Sequence, residues 1–184
     1  PNLTGLPGPA AAWLQLLSGR LAITQVQLGE VAATVVSVHA DAAEVKDGLT
    51  ADDHTRLRRP ALARAWYPDL VVGALEPLTA GGNFIVGGDW NEARLWDQTT
   101  PQHAPGSQQF FEGRAEAGWF DALRKHSPDE VRTYLDRASA PYELDHVFVD
   151  ATQYGQLTAS RPLSEEMLTE LSDHAPLVLD FAEG

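Results

Sequence analysis

Two adjacent segments of the chain have hydrophobic patterns of the kind found in β-strands. Residues 21–28 (LAITQVQL) alternate over most of their length, and residues 32–40 (AATVVSVHA) are rich in β-branched side chains. Both patterns are typical of β-strands, and the intervening GEV is a short turn signal. The two segments therefore predict a β-hairpin.

Three further segments predict strands, at residues 83–88, 144–151 and 175–181, and the first of them is a compact buried run. Short continuous runs of this kind are typical of strands that are covered on both faces. The run FIVGG at residues 84–88 stops abruptly, and a carboxylate (Asp89) and an amide (Asn91) follow it.

Leu, Ala, Arg and Trp recur at helical spacing through residues 51–80. Pro60, Pro68 and Pro77 interrupt this segment, so we expect several short helices and not one long helix.

The remaining segments are shorter. Residues 97–110 are polar and rich in Pro and Gln, which predicts a loop. Residues 114–126 predict two short helical pieces around Gly118, and residues 164–171 predict a helical turn. No repeat, low-complexity run or linker divides the chain. We therefore expect residues 1–184 to form a single α/β domain with long loops.

Composition excludes several classes of protein. The chain has 184 residues, of which 43% are hydrophobic and 21% charged, as in ordinary folded proteins. No apolar run reaches the ~18 residues of a membrane span, so we expect a soluble protein and leave its compartment, cytoplasmic or secreted, open. Without cysteine, the chain has no disulfides, zinc thiolate sites or cysteine nucleophiles.

The net charge of −13 argues against a large basic surface for nucleic acid, since phosphate binding usually relies on Lys and Arg. A site that binds a phosphodiester through a divalent cation is itself rich in carboxylates. Acidity therefore weakens the nucleic-acid interpretation without removing it.

Polar side chains follow or precede four predicted strands. If the later strands run antiparallel to the earlier ones, these side chains share one edge of the fold, where a rigid scaffold holds loop-borne groups together. We expect Gly87 and Gly88 to let the backbone turn sharply there. The candidates are His39, Asp89, Asn91, Asp145, Asp173 and His174.

Each candidate also has a simpler interpretation. Asp and Asn after a strand are usually turn formers, His39 alone resembles a hydrogen-bonded strand histidine, and Asp145 alone resembles a solvated edge residue. Their joint occurrence at strand ends favours a site. Two imidazoles, three carboxylates and an amide suit the metal-assisted attack of water on a phosphate ester.

Six stretches of the chain resemble the endonuclease/exonuclease/phosphatase superfamily, the group of pancreatic deoxyribonuclease and the exonuclease III-like repair enzymes. The match begins near residue 21 and keeps the order of the family's motifs. The stretches are VVSVHAD (35–41), FIVGGDWN (84–91), GWFDALR (118–124), TYLDR (133–137), LDHVFVD (144–150) and LSDHAPLVLDF (171–181).

The resemblance implies a four-layer α/β/β/α sandwich and a Mg²⁺- or Mn²⁺-dependent phosphoesterase. By motif, His39 matches the histidine that stabilises the phosphate or protonates the leaving group. Asp89 matches the aspartate that orients or activates water, and Asn91 matches the amide on the phosphate. Asp145 matches the aspartate that pairs with the general base His174, and Asp173 matches a metal-site carboxylate.

Two upstream motifs of the family, an asparagine that ends a strand and a metal-binding glutamate, have no counterpart here. Only 34 residues precede the VVSVH strand; Asn2 lies at the terminus, and Glu30 lies in the predicted hairpin turn. We therefore expect the C-terminal part of such a domain, lacking its N-terminal strands. A preceding segment, a second chain or a dimer partner would supply those strands and the glutamate.

The favoured function is hydrolysis of phosphodiester bonds, with DNA or RNA slightly ahead as the substrate. The alternatives are a phosphatase or phosphodiesterase that acts on phospholipid or small phosphorylated metabolites, and a non-catalytic binding domain that has kept the fold.

Several other conspicuous residues are interpreted as structural. We expect Trp119 and Phe120 to pack a helix onto a sheet, and Tyr134 to be structural as well. His54, His103 and His126 are assigned no role. The arginine cluster is interpreted as a solvated helix face; its members are Arg56, Arg58, Arg59 and Arg64.

Overall fold

The computed structural model describes residues 6, 8–28, 30–99, 106–135, 141–163 and 172–182. The helices are α1 (Gly8–Leu16), α2 (Ala51–Leu57), α3 (Tyr67–Thr79), α4 (Trp96–Thr99), α5 (Ser107–Glu116), a 3₁₀ turn (Ala122–Lys125) and α6 (Ala151–Gln156). The strands are β1 (Leu21–Leu28), β2 (Val31–His39), β3 (Phe84–Asp89), β4 (Phe120–Asp121), β5 (Asp145–Val149), β6 (Leu157–Pro162) and β7 (Leu177–Phe181).

The predicted hairpin is present. Strands β1 and β2 pair antiparallel in an unbroken register from Leu21↔Val38 to Leu28↔Val31. The hairpin forms one side of a five-stranded sheet with the order β1-β2-β3-β5-β4, and β6 and β7 form a separate two-stranded sheet. The mixed α/β class expected from the sequence is confirmed.

The connection from β2 to β3 contains helices α2 and α3; these two strands run parallel, and β5 then runs antiparallel to β3. Parallel neighbours need a long crossover connection of this kind. Because β5 is reversed, its first residue lies beside the last residue of β3. The carboxyl ends of β2 and β3 and the amino end of β5 therefore meet at one edge of the sheet.

The expected proline breaks are wrong for α3, which is a continuous helix of 13 residues. Pro68 lies in its first turn, where no backbone N–H partner is needed, and Pro77 is tolerated near the end of the helix. Burial of Leu70, Val71 and Leu75 against the sheet stabilises the helix despite Pro77.

The predicted loop at residues 97–110 is also wrong at both of its ends. Residues 97–99 belong to α4, and α5 begins at Ser107. The carboxylate of Asp97 accepts hydrogen bonds from the backbone N–H groups of Gly106, Ser107 and Gln108. A cap from a neighbouring element starts α5, and residue periodicity does not reveal such a cap.

Residues 114–126 differ from the predicted pair of helical pieces. Arg114 and the two residues after it end α5, and Gly118 turns the chain with φ 81°. Phe120 and Asp121 then pair with β5 as strand β4, before the 3₁₀ turn. The predicted turn at 164–171 lies outside the described residues. Helix α1 and strand β6 are elements that the sequence did not predict.

Apolar clusters lie on both faces of the central strands of the five-stranded sheet, whereas most described residues of β1 are exposed. One face packs against α1, α3 and α5 through a cluster that includes Trp13, Leu75, Trp90 and Phe148. The other face packs Val147 of β5 and its neighbours against β6 and β7. Strand β5 is buried along its whole length. Within the described residues, no helix is long and apolar enough to cross a membrane.

Candidate metal-assisted hydrolytic site

The strand register brings three of the candidate residues into one row. His39 is paired with Asp89 across β2 and β3, and Asp89 is paired with Asp145 across β3 and β5. The Nδ1 atom of His39 lies 3.5 Å from an oxygen of Asp89, and the His39 side chain is 68% exposed. Three separate segments of the chain thus meet at one edge, as the sequence predicted.

Close backbone approach, and not a turn, explains the glycines before Asp89. Gly87 and Gly88 lie within β3. A Cβ atom on Gly88 would lie 2.1 Å from the carbonyl oxygen of Val38, and its φ of 141° disfavours any other residue. The expected sharp turn occurs instead at Asn91, whose φ is 44°.

The Asn91 side chain holds the Asp89 carboxylate in place. The backbone N–H of Asn91 donates to Asp89 Oδ1 at 2.9 Å. The side-chain Nδ2 of Asn91 donates to Asp89 Oδ2 and to the carbonyl oxygen of Ala40, both at 2.9 Å. Both amide hydrogens are therefore engaged within the protein. In this arrangement Asn91 orients Asp89 and ties it to the end of β2.

Asp145 and His174 form a hydrogen-bonded pair. His174 Nδ1 lies 2.8 Å from Asp145 Oδ2, which matches the dyad that the sequence suggested. The hydroxyl of Thr133 accepts from the backbone N–H of Asp145, and the ring of Tyr134 packs against the His174 ring at a centroid distance of 5.1 Å. These contacts fix both members of the pair, and sequence reasoning did not assign Thr133 or Tyr134 to the site.

The local environment favours protonation of both Asp89 and His174. Burial raises the pKa of Asp89, and the nearby negative charge of Asp145 raises it further. The hydrogen bond to Asp145 raises the pKa of His174, with a smaller contribution from the charges of Asp145 and Asp89. Two ionised carboxylates that lie close together repel each other. A bound metal ion would neutralise this repulsion.

The donor atoms at this edge fit a hard divalent cation. Asp89, Asp145 and His174 each offer a ligand atom, and these atoms lie within 4.8 Å of one another. One or two carboxylates completed by water are typical of a Mg²⁺ site. Asp173 is exposed and lies outside this group, although it directly precedes His174.

A second group of acidic residues and histidine has a structural role. Asp121, Glu143 and His146 are buried and also have ligand atoms within 4.8 Å of one another. Arg94 forms an ion pair with Asp121, and Arg124 forms one with Glu143. The two guanidinium groups supply the positive charge that a cation would bring, so we interpret this cluster as a buried ion network.

The interpretation of the arginine cluster as a solvated face is wrong for Arg59. Its side chain is 4% exposed and pairs with the carboxylates of Asp69 and Glu92. Arg56 packs over the Trp13 ring, while Arg58 and Arg64 are exposed. Arg59 follows the end of α2, and contacts with Asp69 of α3, with Glu92 and with the Phe110 ring bury it.

No protein-family model and no curated protein matches the chain. Solved structures do match. A 3′ phosphatase from Neisseria bound to its product DNA hairpin has a TM-score of 0.61 and 19% sequence identity, over 88% of this chain and 65% of that one. An AP endonuclease from Leishmania major has a TM-score of 0.62 and 19% identity, over 90% and 55%.

The endonuclease domain of a telomere-specific non-LTR retrotransposon has a TM-score of 0.58 and 16% identity, over 91% of this chain and 64% of that one. The chain thus spans less than two thirds of the length of each of these three structures. Coverage of about nine tenths of the chain, at identities below 20%, establishes a common architecture. The chain has the fold of the endonuclease/exonuclease/phosphatase superfamily.

Proposed function

We propose that the protein is a divalent-metal-dependent phosphodiesterase, with nucleic acid as the substrate class. The observation that carries this proposal is the meeting of Asp89 with the Asp145–His174 pair at one edge of the sheet, with ligand atoms within 4.8 Å of one another. Two carboxylates and an oriented imidazole are the groups that hydrolysis of a phosphodiester by water requires.

His174 is the general base in this proposal. Its Nδ1 atom is engaged with the Asp145 carboxylate, which favours the tautomer with the proton on Nδ1. Its Nε2 atom then carries the lone pair that takes a proton from the attacking water. Asp145 also stabilises the imidazolium that forms, as an orienting carboxylate does in a catalytic triad.

Asp89 and Asp145 would hold the cation, and Asp173 stays a proposed ligand that would have to move to reach it. When bound, the cation polarises a phosphoryl oxygen and neutralises the charge that develops on it. Asn91 keeps the Asp89 carboxylate oriented through two hydrogen bonds. His39 is exposed at the same edge, which leaves it free to contact the phosphate or to protonate the leaving group.

The choice of nucleic acid as substrate rests on the proteins with similar structures. These include a 3′ phosphatase bound to its product DNA hairpin and two AP endonucleases. The net charge of −13 favours the second candidate, a small phosphorylated metabolite or lipid headgroup, because it disfavours a long polyanion.

A substrate panel tests both candidates. The protein is incubated with labelled duplex DNA, single-stranded RNA, DNA with an abasic site, bis-p-nitrophenyl phosphate and inositol phosphates, with Mg²⁺, with Mn²⁺ or with EDTA. We expect metal-dependent cleavage of a nucleic acid. Cleavage of the small esters alone would favour the second candidate. If no phosphoester is hydrolysed in a metal-dependent way, the proposal that the protein is an enzyme is wrong.

Two site variants and one control complete the test. His174→Ala and Asp89→Ala should reduce turnover on the order of a thousandfold or more while the melting temperature changes little, because both side chains lie at the open edge of the sheet. Asp52→Asn removes an exposed carboxylate on α2 and should leave turnover unchanged. Equal losses in all three variants would contradict a specific site.

A further inference from the structure

The turn that carries Asn91 continues directly into a buried glutamate. Glu92 is 0% exposed, although it is charged and lies one residue from a candidate site residue. Side chains along this segment alternate in direction. Asp89 and Asn91 face the site, whereas Trp90 is buried in the main core and Glu92 is buried against Arg59.

Arg59 binds Glu92 through a bidentate contact. Its Nη1 and Nη2 atoms donate to the two oxygens of Glu92 at 3.0 and 2.6 Å. Its Nε atom donates to both oxygens of Asp69, near the start of α3, at 3.1 and 3.0 Å. A planar guanidinium with a fixed fork makes such contacts, and a lysine ammonium does not.

The main chain of Glu92 is held as well. Nε2 of the buried His146 lies 2.9 Å from the carbonyl oxygen of Glu92. The residue that follows Asn91 is thus fixed through its side chain by Arg59 and through its backbone by β5. This double anchor lies immediately beyond Asn91, whose φ of 44° is uncommon for a non-glycine residue and needs support from its surroundings.

We propose that Arg59 is a positioning residue that fixes the Asp89–Asn91 turn through Glu92. It touches neither the substrate nor the cation. Its effect is to hold Glu92, and through Glu92 the turn in which Asn91 orients the Asp89 carboxylate. The inference rests on the proposed function for its kinetic consequence, whereas the structural consequence can be measured without any activity.

Arg59→Lys is the diagnostic substitution, because it keeps the positive charge but removes the planar guanidinium that bonds Glu92 and Asp69 at the same time. Arg161→Lys is the matched control, since Arg161 forms an exposed ion pair with Asp180 at 2.8 Å in the two-stranded sheet. With the best substrate of the panel, Arg59→Lys should lower kcat on the order of tenfold to a hundredfold with little change in KM. The control should keep both constants.

Amide hydrogen exchange gives the second readout. The Trp90 amide donates to the carbonyl oxygen of Leu144, and the Asn91 amide donates to Asp89. In Arg59→Lys, exchange at Trp90 and Asn91 should accelerate at least tenfold relative to Val36 in the centre of β2, which reports unfolding of the whole sheet. A merely structural loss would accelerate all three amides alike.

The two readouts separate the inference from the proposed function. If the wild-type protein hydrolyses no phosphoester, the proposed function fails, and exchange at Trp90 and Asn91 alone decides on Arg59. Selective acceleration at these two amides supports the positioning role. Exchange that stays within threefold of wild type, or that rises equally at Val36, overturns it. In an active enzyme, a kcat within threefold of wild type overturns it as well.

Discussion

His174 Nδ1 and Asp145 Oδ2 lie 2.8 Å apart, and this bond links the five-stranded sheet to the segment that precedes β7 of the two-stranded sheet. Asp145 begins β5 in the five-stranded sheet, whereas His174 lies just before β7 in the two-stranded sheet. Packing of Val147 and its neighbours against β6 and β7 sets the spacing between the sheets. Backbone hydrogen bonds from Leu135 to Asp173 and from Ala175 to Thr133 hold the segment that carries the candidate base as well.

Replacing Asp145 by Asn tests whether this bond orients His174. The amide keeps the size of the carboxylate, but it removes the charge and can place a donor against Nδ1. We expect turnover to fall by a large factor, on the order of the ~10⁴ seen when an orienting carboxylate is neutralised in a serine-protease triad. Steady-state kinetics measures the fall in turnover, with Asp52→Asn as the control. A loss below about tenfold would show that Asp145 and His174 are not a catalytic dyad.

Thr133→Val tests the support behind Asp145. The buried hydroxyl of Thr133 accepts from the backbone N–H groups of Leu144 and Asp145 at 2.9 and 3.0 Å. Valine fills the same space and leaves both donors unsatisfied, so unfolding free energy should fall by about 1–3 kcal/mol. Thr158→Val, at an exposed hydroxyl, is the control for urea denaturation. Equal effects at the two positions would contradict this account.

Gly88→Ala tests the close contact between β2 and β3. The added Cβ would lie 2.1 Å from the carbonyl oxygen of Val38, which is a backbone atom and cannot swing away. With φ at 141° as well, we expect a loss of at least about 3 kcal/mol in unfolding free energy. Thermal and urea melts measure the change.

Gly113→Ala is the opposite case and serves as the control. Gly113 lies inside α5, and a Cβ there would meet nothing within 4 Å. Alanine should stabilise the protein by about 0.5–1 kcal/mol, because it is the better helix former. If alanine is tolerated equally at both positions, the backbone of Gly88 does not lie as close to the carbonyl oxygen of Val38 as the structure has it.

Local patterns predicted the strands that carry the site. The apolar run before Asp89 and the β-branched residues before His39 mark β3 and β2 without reference to any partner. The register between β2 and β3 places His39 beside Asp89. Polar residues at the ends of predicted strands indicate that a site lies at that edge of the sheet. The Asp145–His174 pair was suggested by motif order, since 29 positions separate the two residues.

Long-range contacts explain what sequence reasoning missed. Arg59 belongs to a cluster of arginines that suggests a solvated face, and it is buried by contacts with Asp69, with Glu92, 33 positions away, and with the Phe110 ring. Helix α5 starts at Ser107 because Asp97 caps it from α4. Strand β6 exists through its pairing with β7. Each of these features depends on a partner that no local window of sequence contains.

The stability of the protein should depend on pH through the buried triad of Asp69, Arg59 and Glu92. Two carboxylates share one guanidinium in this triad. Burial raises the pKa of Asp69 to about 6, against the attraction of Arg59 and with a contribution from the negative charge of Glu92. The native protein therefore binds a proton at Asp69 more tightly than the unfolded chain, in which an aspartate has its ordinary pKa near 3.8.

The sign follows from proton linkage. Between about pH 4 and pH 6 the native state holds more protons at Asp69, so this residue's contribution to stability falls as the pH rises through that window. A shift of this size corresponds to about 3 kcal/mol. We expect the unfolding free energy of the wild type, measured relative to Asp69→Asn, to fall from pH 4 to pH 7 by most of that amount.

Urea denaturation of both proteins at four pH values measures this difference, because other titrating groups cancel between them. Thr158→Val removes no ionisable group, so its difference from the wild type should stay flat and checks that the cancellation works. A difference between wild type and Asp69→Asn that is flat, or that grows as the pH rises, would show that Asp69 stays ionised in the native protein. Arg59 would then neutralise Asp69 fully despite its second contact with Glu92.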